Sequence, residues 1–124
     1  NQVNKMNEYQ EKLKNLMNQY AHFVYRITKK LPSDEKFGLI SQMRRAGVSI
    51  MLNYIEGYAR IKNLVKMNFW EISYGSCQES KYLLEFVRDE GFISDEDYGV
   101  GYELLKEVGA MLWSDVSRLS KESK

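Results

Sequence analysis

Apolar residues recur along this chain at alternating spacings of three and four. Met6, Tyr9, Leu13, Leu16, Tyr20, Phe23 and Ile27 form the first such stripe, the spacing that places side chains on one face of an α-helix. The pattern predicts a helix over about 4–31, ended by Pro32. Ser33 is then placed to cap a second helix over 34–60, with Asp34 and Glu35 in its first turn. Ile40, Met43, Gly47, Ile50 and Tyr54 are its expected seam. A third run, over 64–90, carries Phe69, Ile72, Ser76, Leu83 and Val87, and Gly91 stops it. Ser94 with Asp97 three residues on opens a fourth helix over 95–120, with Leu104, Val108, Met111, Leu112 and Leu119 on one stripe. No segment alternates cleanly enough for a strand. Helices of similar length with short connections predict an all-α fold, an antiparallel up-down-up-down four-helix bundle forming one domain over 1–124.

The faces of these helices are less regular than their spacing. At 100° per residue the apolar positions of the second helix sweep from Leu39 through Tyr54, Met51 and Ile55 to Leu52, about twice the arc that a surface helix of a monomer needs. Gln42, Arg45, Ser49, Asn53, Glu56 and Arg60 share the narrow remainder. That strip is either a solvated edge, with Glu56 and Arg60 paired at i,i+4, or a polar seam against another helix or subunit. Arg44 projects into the apolar arc and needs a partner, for which Asp115 and Glu79 are the candidates. On the third helix Ser73, Ser76, Cys77 and Ser80 lie on the core side, where small side chains let another helix approach. Tyr102 and Trp113 point away from the fourth helix's core stripe and are read as oligomer-interface anchors.

Composition adds the charge balance and removes several classes of function. The 124 residues carry 18 Lys and Arg against 17 Asp and Glu, a net charge of +1. Residues 1–62 hold eleven of the cations and five of the acids. The two halves are therefore of opposite sign, and a basic face of one copy could meet an acidic face of the next. Apolar runs are too short to cross a bilayer, and the start of the chain lacks the pattern of a secretory signal. The lone cysteine, Cys77, fits a reducing cytoplasm, and its place on the core side reads as filler. His22, the one histidine, falls opposite the core stripe of the first helix and reads as solvent-exposed. No Glu-x-x-His pair, phosphate-binding loop, dinucleotide-binding glycine pattern or Cys/His metal spacing is present. The expectation is a protein with no cofactor, metal, membrane or small-molecule substrate, and no enzymatic activity. A Glu56 and Glu79 carboxylate pair is the one arrangement with acid-base potential. Arg45, Arg60, Lys62 and Lys66 gather near one turn and form the candidate nucleic-acid contact. Arg44, Asn53, Glu56, Gly57, Glu79 and Asp115 are the candidate structural polar network. In LNYIEGYAR, residues 52–60, Gly57 must accept a non-helical turn or admit a close neighbour.

The runs SQMRRAGVSIMLNYIEGYAR, FWEISYGSCQESKYLLEF and EVGAMLWSDVSRL resemble the four-helix-bundle proteins called 23S rRNA intervening-sequence proteins. They are also similar to a related branch, the accessory variability determinants of diversity-generating retroelements. The most specific elements are Arg44-Arg45-Ala46, Ser49-Ile50, Asn53, Glu56-Gly57, Arg60, Gly75-Ser76 and Glu79, and the resemblance covers nearly the whole chain after the first helix. Met51 stands where that family usually has proline, so any kink should be weaker. The resemblance implies a small cytoplasmic bundle that assembles as a ring, commonly a pentamer, without enzymatic activity. It implies RNA, DNA or a reverse transcriptase as partner beside the chain's own copies. The competing expectation is a purely protein-binding adaptor ring.

Overall fold

The structure is a computed structural model in which residues 6–122 are described. Four helices make up the bundle: α1 (Glu8–Thr28), α2 (Ser41–Tyr58), α3 (Asn63–Asp89) and α4 (Asp95–Glu122). No strand occurs among the described residues. The fold is the expected up-down-up-down bundle. Helix α1 packs on α2 and α4, α3 packs on the same two, and the α2–α3 contact is the most extensive.

Helix ends follow local chemistry. Asn7 caps α1 reciprocally: Gln10 N–H donates to Asn7 Oδ1 at 2.8 Å, and Asn7 N–H donates to Gln10 Oε1 at 3.0 Å. The expected start of the first helix at residue 4 lies outside the described residues. Gly91 adopts φ 78°, a left-handed conformation that favours glycine. The N–H of Phe92 reaches Val87 O at 2.9 Å and closes the end of α3. Three residues later Ser94 Oγ accepts from Asp97 N–H at 3.0 Å, which starts α4 as its sequence signature predicts.

The entry to α2 departs from expectation. Ser33 does not cap an α-helix; it opens a 3-10 turn, Ser33–Glu35, which continues into a π-helical turn, Lys36–Ile40, before regular α-helix begins at Ser41. Gly38 in the middle of this passage favours regular helix weakly. The passage leaves Phe37 91% exposed, on the side occupied further along by Val48 and Leu52.

Leu13, Met17, Tyr20, Phe23, Val24 and Ile27 of α1 meet Met43, Ala46, Ile50 and Tyr54 of α2 in the core, with Trp70, Leu84 and Val87 of α3 and Leu105, Val108 and Leu112 of α4. Two seams are rotated from their predicted positions. On α3 the buried stripe runs through Trp70, Ser73, Ser76, Cys77, Ser80, Leu84 and Val87, while Ile72 is exposed. On α4, Leu105 and Val116 replace Leu104 and Met111, which are half-buried. The small residues decide both cases: Ser73 and Ser80 on α3, and Gly101 and Gly109 on α4, let neighbouring helices settle over them. The larger Ile72 and Met111 stay at the margins.

Candidate functional site

Helix α2 carries a polar strip and an open apolar side in addition to its buried face. Its polar strip faces α3. Arg45 Nη2 lies 2.9 Å from Glu79 Oε2, and the Gln42 amide donates to the same oxygen at 2.6 Å. Ser76 Oγ donates to Ser49 Oγ at 2.9 Å, and the Asn53 amide donates to Ser49 at 2.9 Å. Deeper in, Ser73 Oγ donates to Ile50 O at 2.6 Å. Short polar side chains keep the two helices close along this seam.

The seam ends at Gly57. A Cβ there would lie 2.5 Å from Trp70 Cδ1 and 3.0 Å from Lys66 O, so only glycine admits this neighbour while staying helical. The indole of Trp70 stacks on Tyr54 at 5.0 Å and donates Nε1–H to Tyr54 O at 3.0 Å. LNYIEGYAR is thus the foot of the α2–α3 seam. Glu56 and Arg60 pair at 2.5 Å on its outer side, and the Arg60 guanidinium lies 5.0 Å from the Phe69 ring centre.

The six candidate network residues do not form one network. Glu56 with Arg60, Glu79 with Arg45, and Asn53 with Ser49 are separate clusters at successive levels of the seam. Arg44 pairs with neither Asp115 nor Glu79, which corrects that expectation. It turns toward α1, where its guanidinium lies 4.5 Å over the Tyr25 ring and Nε donates to Thr28 Oγ1 at 2.9 Å. A π-face and a hydroxyl take the place of the carboxylate. Asp115 instead meets Arg118 one turn along its own helix, at 3.1 Å. Burial pushes the Asp115 carboxyl above the ordinary carboxylate range, with Arg118 opposing.

The outer side of α2 is apolar. Val48 is half-buried, while Leu52 (56% exposed), Ile55 and the upstream Phe37 are open. With Tyr25, Ile40 and Arg44, the residues Phe37, Val48 and Leu52 line a shallow groove of about 680 Å³ along the α1–α2 side. Lys36, Arg44 and Arg45 supply its charge, and no acid lines it.

Of the four candidate nucleic-acid contacts, Arg45 and Arg60 are neutralised by Glu79 and Glu56. Lys66 is half-buried beside the rings of Tyr58 and Trp70. Lys62 is exposed at the turn before α3. Tyr102 stacks on Tyr98 at 5.7 Å, and Trp113, 57% exposed, leans on Tyr74 at 5.4 Å, so both lie on the outer side of α4.

His22 is exposed. Cys77 is buried, its thiol is pushed up to about 11 by burial, and Sγ donates to Leu105 O. A thiol so placed is a poor nucleophile at neutral pH. No group of three or more His, Cys, Asp or Glu suited to a metal occurs among the described residues, and no described helix is long and apolar enough to cross a membrane.

The sequence profile of the 23S rRNA-intervening sequence proteins matches residues 8–114, spanning all four helices. The chain belongs to the 23S rRNA-intervening sequence protein family. A crystal structure from Bacteroides thetaiotaomicron, of a protein of unknown function from the S23 ribosomal protein family, superposes with a TM-score of 0.81 at 23% identity. The match covers 88% of this chain and 98% of the other, so the family member and its neighbour share the whole bundle. No functionally curated protein matches the chain significantly.

Residue spacing alone missed Phe37, Tyr25 and the Tyr82–Phe86 pair as surface features. The width of the apolar arc of α2 signals the open side that Phe37 extends; nothing in the spacing marks Tyr25 of α1 or the Tyr82–Phe86 pair of α3. Phe37 sits before the regular helix, where a 100° projection no longer applies.

Proposed function

We propose that this protein works by assembly rather than catalysis, as a non-enzymatic, homo-oligomeric helical scaffold of the cytoplasm. The observation that carries the reading is the second apolar side of α2: its polar strip is engaged along the edge of the α3 seam, and the aliphatic side beyond it is left open. Open aliphatic residues in a row are costly to hydrate, and a partner surface relieves that. A pentameric ring is the form that the family resemblance implies. In such a ring the turn from Arg60 to Lys66 recurs in every subunit, so weak phosphate contacts from Lys62 and its neighbours would add by avidity. RNA, DNA or a reverse transcriptase is the partner in this reading.

The ion pairs of Arg45 and Arg60 favour a second reading, an adaptor ring that binds protein only. Size exclusion with light scattering, at low and high salt and with a short structured RNA, separates the two. An oligomer that carries RNA only at low salt is the expected result for the first. An oligomer that ignores RNA at every salt concentration supports the second, and a monomer throughout overturns both.

A further inference from the structure

The α3–α4 side of the bundle holds a groove that neither the α2–α3 seam nor the open side of α2 touches. Tyr74 and Gly75 of α3 and Trp113 and Ser117 of α4 line it, with Glu71 and Lys121 toward the end where α3 begins and α4 finishes, and it encloses about 550 Å³. Gly75 leaves its floor bare. Glycine in mid-helix weakens a helix relative to alanine, yet a Cβ at this position would meet nothing within 4 Å. Packing within the chain therefore does not call for this glycine, and its effect is to keep the groove open.

The wall of the groove is aromatic. Trp113 is 57% exposed and tilts at 47° against Tyr74, with ring centres 5.4 Å apart. Elsewhere the chain lays its own cations on its own rings: the Arg44 guanidinium lies 4.5 Å over Tyr25, Arg60 lies 5.0 Å from Phe69, and Arg88 lies 4.0 Å over Tyr98. Among the described residues no cation lies over Trp113, although indole is the ring that attracts cations best. Glu71, three residues before Tyr74 and so on its side of α3, is exposed and joins none of the ion pairs among the described residues. An unclaimed π-face and an unclaimed carboxylate thus line one groove.

We propose that this groove docks an arginine side chain of a partner protein, its guanidinium flat on the Trp113 indole, its N–H groups on the Glu71 carboxylate and its aliphatic stem over Gly75. The inference stands apart from the assembly of copies, since one protomer carries the whole groove. Guanidinium suits both features at once, because it is planar enough to stack and its donors match a carboxylate. Glu71 repels a phosphate, so the groove selects protein over nucleic acid. Lys121 repels a second cation, so the docking segment carries a single arginine among neutral or acidic residues rather than a basic run.

The probe is a blocked peptide, acetyl-Gly-Ser-Arg-Ser-Gly-amide, beside its citrulline counterpart, which keeps the shape of arginine without the charge. The chain has two tryptophans, and Trp70 is buried, so the two indole N–H signals in NMR spectra of labelled protein distinguish the groove from the core. Trp113→Phe assigns them by removing one. The arginine peptide should shift the Trp113 signal and leave that of Trp70 in place, and the citrulline peptide should bind about tenfold more weakly. Glu71→Gln should weaken the arginine peptide by a similar factor. Gly75→Leu should melt no lower than the wild type and yet bind no peptide, because its side chain fills the groove. Equal binding of the two peptides, no shift with either, or a Gly75→Leu protein that binds as the wild type does would each overturn the proposal. A Trp113 signal that moves when the protein alone is diluted would give the groove to a second copy and overturn it as well. None of these readings depends on the mass seen by light scattering, so the assembly reading stands or falls separately.

Discussion

The two long sides of α2 make an instructive contrast. Toward α3 the helix offers Gln42, Arg45, Ser49 and Gly57, a set that by composition belongs on a surface, and each of them meets α3, while Asn53 beside them bonds back to Ser49. On its outer side the helix offers Val48, Leu52 and Ile55, a set that belongs in a core, and it is left open. Polarity therefore sorts the buried face of α2 but not these two flanks. Closeness of approach sorts the seam, because small or hydrogen-bonded side chains let α2 and α3 pack tightly. The demand for a partner sorts the edge.

Breaking the seam should have the largest effect on stability. Trp70→Ala removes a fully buried indole, its stack on Tyr54 and its hydrogen bond to Tyr54 O. A loss of about 3–5 kcal/mol in urea-unfolding free energy is expected. Gly57→Ala should cost about 1–3 kcal/mol by overpacking against Trp70 and the Lys66 carbonyl, despite the better helix propensity of alanine. A variant as stable as the wild type would mean that α2 and α3 are less closely packed than described. Ser73→Ala should cost about 1 kcal/mol, the usual worth of one hydrogen bond. Arg45→Ala should cost at most about 1 kcal/mol, since its pair with Glu79 is partly solvated.

Much of the seam could be read from the chain. Met43, Gly47, Ile50 and Tyr54 on α2 are the residues its periodicity selects, and the cap at Ser94 and the stop at Gly91 are local chemistry. The partners of charged residues were not legible. Arg44 finds Tyr25 and Thr28 because the rotation of α1 presents them, and that rotation is set by packing across the whole bundle. The buried stripe of α3 was displaced for a related reason: Ile72 and Phe69 weigh heavily in an apolar pattern, while Ser73 and Ser80, the residues that lie against α2 or the core, weigh little. Phe37 was hidden by the 3-10 and π turns that precede α2.

The smallest expected effect concerns Asp115, on α4 away from both sides of α2. Burial raises its carboxyl pKa in the folded chain, while the unfolded chain ionises near the ordinary value of about 3.9. The folded state therefore binds more protons between these two values, and stability falls as pH rises through that interval. Asp115→Asn removes this slope, so its urea midpoint should gain on the wild type from pH 3.5 to pH 7. Asp97 acts in the opposite sense. Its hydrogen bond from Lys30 lowers its pKa, so its contribution is present above about pH 4 and is lost below it. Asp97 is common to the wild type and Asp115→Asn, so it cancels in that comparison.

The most direct test of the contrast is the mass of Leu52→Asp against the wild type by light scattering, over a concentration series with melting temperature measured in parallel. Leu52 makes little contact within one copy, so a folded protomer of unchanged thermal stability as a monomer, beside an oligomeric wild type, is the predicted result. An oligomer of wild-type mass carrying Leu52→Asp would contradict it, and the open side of α2 would then have no part in assembly.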